Sequence, residues 1–217
     1  MASKAPKPAG RPLAFDRDQA LDRAMCVFWQ KGYAGASLTD LTAAMGIRPP
    51  SLYAAFGNKQ ALFEESLERY LAGPVAYIRD ALEEATAYQV AARILRQTAE
   101  FLTKDGLRRG CMTIQGALAG GEETGPIRRK LIKLRLRVQK ALCLRFERAK
   151  SEGDLPKTVN AADLARFVTT IFQGMTVQAV NGATREELLR LGEIALQVWP
   201  KQEPSRVSDA QLEAGVC

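Results

Sequence analysis

Residues 37–59, SLTDLTAAMGIRPPSLYAAFGNK, restrict the fold more than any other stretch of the chain. Ser37 stands three residues before Asp40, the spacing of a capping box. In that arrangement the hydroxyl accepts from the Asp40 amide while the carboxylate reaches back to the Ser37 amide. The helix it opens runs to Met45, with Leu38, Leu41, Thr42 and Met45 on one face, so it buries a narrow stripe and keeps its other side free. Gly46 ends it, because glycine takes the left-handed conformation that a sharp turn requires, and Ile47 plugs the angle that follows. Arg48-Pro49-Pro50 opens a second helix, since proline in a first turn lacks only an amide that would have gone unpaired. Leu52 and Phe56, four residues apart, point inward and leave Ser51, Tyr53, Ala54 and Ala55 outside. A small, smooth face with a hydroxyl and a phenol is able to lie in a DNA major groove, and the short glycine turn fits helix-turn-helix geometry. The competing reading is a pair of ordinary surface helices.

The flanks complete a small unit. A helix is expected from Asp16 to about Lys31, opened by Asp16-x-x-Gln19 and closed by Gly32, with Leu21, Ala24, Met25 and Phe28 buried. Trp29 and Tyr33 are expected to pack against the two short helices, with Cys26 as a small core filler. From Lys59 to about Leu71, Leu62, Phe63, Leu67 and Tyr70 recur at helical spacing, and Gly73-Pro74 ends this helix sharply. It leads out of the unit and is the natural lever.

Phe28-x-x-Lys31-Gly32-Tyr33, Ser37, Leu41, Gly46-Ile47, Leu52-Tyr53, Phe56 and Lys59-x-x-Leu62 together resemble the tetracycline-repressor (TetR) family of bacterial transcriptional regulators, in order and spacing. The resemblance covers residues 15–65, and the remainder is similar in length and helical character. It departs at Arg48 and Pro50, where such families often carry a serine or threonine and a small residue. It implies an effector buried among the middle helices, whose binding shifts the lever helix and spreads the recognition helices. The candidate lining is Phe101, Cys111, Met112, Gln115, Phe172 and Gln173.

Composition narrows the chemistry. The chain has no histidine, so acid–base or metal chemistry that relies on imidazole is excluded, and no cofactor or metal site is expected. Its four cysteines, Cys26, Cys111, Cys143 and Cys217, form no C-x-x-C pair and read as reduced thiols. The net charge of +7 is uneven: residues 1–60 carry +4, residues 126–150 carry +9, and the rest carries −6. No apolar run reaches the roughly 18 residues a bilayer requires, and MASKAPKPAGRP has no hydrophobic block, so a cytoplasmic location is expected.

Residues 1–14 read as a mobile basic arm, either lying in a minor groove through Gly10-Arg11-Pro12 or attracting phosphate nonspecifically. Residues 74–89 and 90–104 read as two helices or one bent one, and Gly110 to Ala119 as a short buried helix. The following GGEETGP lacks the Gly-Lys-Ser/Thr ending of a phosphate loop, so nucleotide binding there is rejected. Ile127 to Lys150 is a long helix whose basic side chains either form a solvated face or bind an acidic ligand or partner. Asn160-x-x-Asp163 and Thr184-x-x-Glu187 cap two apolar helices, reaching Asn181 and Trp199. These either finish the monomer core or form a four-helix bundle with a second subunit. The tail beyond Pro200 is polar.

The expected fold is therefore all-α: a helix-turn-helix DNA-binding domain at 15–60, then a helical bundle at 61–200 for effector binding and dimerisation. The expected partners are double-stranded DNA, a second copy joined through residues 161–199, and an unidentified small molecule. Arg48 and Lys59 would hold phosphates, and Ser37, Thr39 and Tyr53 would add hydroxyl contacts. Pro49, Pro50 and Ser51 would meet base edges by apolar contact and shape. Gly110-Cys111 at a helix start, beside Arg108 and Arg109, describes either an inert packed thiol or a sensor of electrophiles and oxidants. A nonspecific DNA-binding protein is the other alternative, and an enzyme is disfavoured by the missing histidines.

Overall fold

In a computed structural model, which describes residues 15–104, 110–114 and 125–201, nine helices can be bounded among the described residues, and no strand occurs among them. They are α1 (Arg17–Gly35), α2 (Leu38–Met45), α3 (Pro49–Phe56), α4 (Lys59–Ala72), α5 (Tyr77–Ala81), α6 (Ala87–Thr103), α7 (Gly125–Ser151), α8 (Ala161–Val180) and α9 (Arg185–Gln197). The basic arm, Arg108, Arg109, Gln115 and the rest of 115–119, and the tail from 202 lie outside the described residues.

Local chemistry sets most of the helix starts. Asp16 accepts from the Gln19 amide, and Ser37 with Asp40 forms both halves of its capping box. Asn160 and the Thr184–Glu187 pair open α8 and α9 in the same manner. Each such cap contributes about 1 kcal/mol. A further box, Thr86 with Gln89, opens α6 and places the break in the 74–104 segment at Thr86, earlier than the expected 89–90 boundary. Gly32, with φ 68° and ψ 176°, breaks the helical backbone where the helix was expected to close, and a further turn continues to Gly35.

α1 to α4 enclose one core around Phe28, Leu41, Leu52, Phe63 and Tyr70. Phe28 and Tyr33 both set edges against Phe63, with centroids 5.0 and 5.2 Å apart. Leu38, in the first turn of α2, lies at the rim of the buried stripe and stays 36% exposed, contrary to expectation. Trp29 also departs from expectation. It is one step round the helix from Phe28, so it faces α4 and α6 rather than the short helices. There it stacks on Phe101 at 5.2 Å, meets Tyr70 edge-on at 5.1 Å, and donates its indole N–H to the Gly110 carbonyl. On the surface, Arg69 binds Asp22 at 2.5 Å and Asp18 at 3.0 Å, while Arg17 binds Glu65 at 2.6 Å; all three pairs join α1 to α4.

α6 to α9 enclose a second core that includes Ile94, Phe146, Val168, Met175 and Leu188. α7 belongs to both cores, burying Ile127 and Leu131 in the first and Leu142 and Phe146 in the second. One of its basic residues is not on the solvated face. Arg145 is buried, donating from Nε to the Leu82 carbonyl at 3.1 Å and from Nη2 to the carbonyls of Glu84 and Ala85 at 2.8 and 3.1 Å.

Asp40 links α2 to α1 and makes part of this architecture sensitive to acid. The Lys31 ammonium, 2.6 Å away, followed by the Ser37 hydroxyl and amide, lowers its carboxyl from 3.8 to about 2. A depressed folded-state value means stabilisation that is present above about pH 4 and lost as pH falls toward 2. Acid unfolding followed by circular dichroism should show Asp40→Asn less stable than the parent near neutrality, the two converging near pH 2. A constant gap across that window would remove Asp40 from the explanation.

Candidate nucleic-acid interface and effector cavity

The turn between α2 and α3 is built on Gly46, whose φ of 69° and ψ of 30° belong to the left-handed region. The Ile47 amide returns to the Thr42 carbonyl at 3.1 Å, which closes the turn. Arg48 is the N-cap of α3, and its carbonyl accepts from Ser51 at 2.9 Å and Leu52 at 3.2 Å. Leu52 and Phe56 anchor α3 from beneath.

This leaves Ser37, Thr39, Arg48, Pro49, Pro50 and Tyr53 exposed on α2, the turn and α3, with Ser51 half-buried. The Ser37 hydroxyl is engaged with the Asp40 carboxylate at 2.7 Å. Arg48 has no carboxylate partner among the described residues, so its charge is available to an anion. Lys59 is half-buried, its ammonium 4.7 Å above the Tyr33 ring, and burial lowers its pKa. All eight expected DNA contacts therefore sit on one small unit, though Lys59 is partly engaged with its own protein.

A cavity of about 460 Å³ lies beside this unit. Glu68, Leu71 and Ala72 of α4 form one wall, and Val75, Ile78, Arg79 and Leu82 continue it. α7 supplies Leu134, Arg135, Arg137, Val138, Ala141 and Leu142, and α8 supplies Phe172 and Gln173. Cys111, Thr113 and Ile114 complete it.

Of the expected lining, Cys111, Phe172 and Gln173 come together here, and Gln115 is outside the described residues. Met112 and Phe101 do not line it. Met112 is buried in the first core because consecutive residues of a helical turn point about 100° apart. Phe101 packs against Trp29, Tyr70 and Tyr77. The α7 contribution was missed, since apolar residues facing a cavity have the same spacing as those facing a filled core.

Two polar groups in the lining are held by named partners. Tyr70 donates to the Cys111 sulfur at 3.4 Å, and the thiol lies 3.0 Å from Thr113 Oγ1. Burial raises the Tyr70 phenol well above its ordinary value. Arg135 donates from Nη1 to the Thr113 carbonyl at 2.7 Å, and burial depresses its pKa.

Two family models match the chain: "Bacterial regulatory proteins, tetR family" over residues 20–66 and "Tetracyclin repressor-like, C-terminal domain" over residues 91–188. The HTH-type transcriptional repressor ComR of Escherichia coli (strain K12) is 34% identical over 197 residues, which cover 90% of this chain and 94% of ComR. BdcR, an HTH-type transcriptional repressor of the same organism, is 35% identical over 49% of this chain and 55% of its own length. A cysteine mutant of the TetR family transcriptional regulator CifR, solved with 26-bp double-strand operator DNA, superimposes with a TM-score of 0.84 at 45% identity. That likeness covers 88% of this chain and all of the CifR chain. The chain belongs to the tetR family of bacterial regulatory proteins and is a transcription regulator rather than an enzyme.

Proposed function

We propose that this chain is a repressor that binds a palindromic operator as a homodimer and leaves it when a small molecule enters the cavity. The observation that carries this reading is the double use of α4. Its Leu67 and Tyr70 belong to the core beneath the helix-turn-helix, while Glu68, Leu71 and Ala72 wall the cavity. A ligand that displaces that wall moves the platform on which α2 and α3 rest. The repressor names of ComR and BdcR, and the operator bound to CifR, support the DNA-binding half of the reading.

Dimerisation is proposed through α8 and α9. Val177, Val180, Ile194 and Val198 are all at least 46% exposed on this pair, and Gly174 has open space beside its Cα. A matching face from a second copy covers such residues with the symmetry that pairs two α3 helices, about 34 Å apart on successive major grooves. The complex would work in the cytoplasm; among the described residues no helix is long and apolar enough to cross a membrane.

A second reading rests on Cys111, which faces the cavity and also accepts from Tyr70 of α4. An electrophile joined to this sulfur would disturb both at once.

Selection from randomised duplexes should return an inverted repeat, and Arg48→Ala should bind it more weakly with a salt slope lower by about 1. An unchanged slope takes Arg48 off the phosphates, and recovery of no preferred sequence favours nonspecific binding. Val177→Asp should give a monomer by sedimentation and lose the inverted repeat; a dimer that still binds moves the interface elsewhere. Cys111→Ser should no longer release operator on exposure to a quinone, and equal release from both proteins removes the thiol reading.

A further inference from the structure

The charged groups around the cavity differ in how they are held. Arg79 is 72% exposed and pairs with its neighbour Asp80 at 3.1 Å. Glu68 and Arg137 are exposed at the rim. Arg135 is half-buried, and its Nη1 is fixed by the Thr113 carbonyl. Among the described residues it has no carboxylate partner. A guanidinium taken partly out of water is stabilised by a counter-charge, and a backbone carbonyl supplies only a dipole and occupies one of five N–H donors.

The rest of the wall is apolar, dominated by Leu71, Val75, Leu134, Val138 and Leu142. Its volume is that of a site for a ring-sized organic molecule. The helix that carries Arg135 also makes residues 126–150 strongly basic, which attracts anions to the mouth and repels cations.

We propose that the effector class is an amphipathic organic anion, with an apolar body against this wall and a single carboxylate, sulfonate or similar group on the fork of Arg135. The proposal rests on the cavity being the effector site. A neutral ligand leaves Arg135 without counter-charge, and a cationic one adds repulsion. A planar guanidinium offers paired N–H groups that match an oxyanion in both charge and geometry.

The test is fluorescence titration of the full chain with two probes that share an aromatic skeleton, anilinonaphthalene sulfonate and neutral phenylnaphthylamine. The sulfonate should bind on the order of tenfold more tightly, and Arg135→Gln should remove that advantage while leaving the neutral probe within about twofold. Retained binding of the neutral probe shows that the variant is folded. Ala141→Trp, which fills the cavity, should abolish binding of both probes.

Equal binding of the two probes by the parent overturns the anion proposal and leaves the cavity standing. So does an Arg135→Gln variant that binds both as the parent does. Loss of both probes in Arg135→Gln makes the residue structural and also overturns it. Failure of the parent to bind either probe, or continued binding by Ala141→Trp, overturns the cavity as the effector site itself.

Discussion

Trp29 lies nearly parallel to Phe101, with the ring planes 11° apart, and Tyr70 closes on both from the side. Three helices from different parts of the chain, α1, α4 and α6, are thereby held at one point. Aromatic pairs of this kind add about 0.5–1.5 kcal/mol each beyond the area they bury. The indole N–H, fixed to the Gly110 carbonyl, sets the ring's rotation as well as its position. The helix-turn-helix cannot tilt against α6 without parting these rings. Its orientation is therefore a property of the junction rather than of α2 and α3 themselves.

α4 and α7 connect that junction to the cavity. α4 is pinned to α1 through Arg69 and Arg17, and to α7 through Lys130, whose ammonium is 2.6 Å from Glu64. Exposed pairs like these contribute little individually, but they hold α4 to two elements at once. α7 passes from the first core to the second and lines the cavity between them. On the function proposed above, a ligand that favours one spacing of α4 and α7 over another would bias the reading unit by its difference in affinity for the two spacings.

What could be read from the sequence was what short-range chemistry decides. The Ser37–Asp40 box, the left-handed Gly46 and the proline start of α3 are each complete within a few residues, and the structure has all three. Thr86-x-x-Gln89 carried the same signature, but the apolar period running on to Val90 masked it. Trp29, Phe101 and Met112 could not be placed because a helical period gives a face and not its neighbour. Arg145 looked like its nine basic companions in 126–150, and only the carbonyls of a loop about 60 residues earlier distinguish it. The cavity was half legible: Cys111, Phe172 and Gln173 were named, whereas the α7 wall was indistinguishable from core.

Arg145 has one more effect. Its planar guanidinium gathers the carbonyls of Leu82, Glu84 and Ala85 around one side chain. Those carbonyls lie in the connection that leads into α6, whose first amide, at Ala87, is in turn taken by Asp154 at 2.5 Å. The start of α6 is thus clamped by two residues that flank the end of α7. The start of α6 and the end of α7 are therefore joined directly, across about 60 residues of chain.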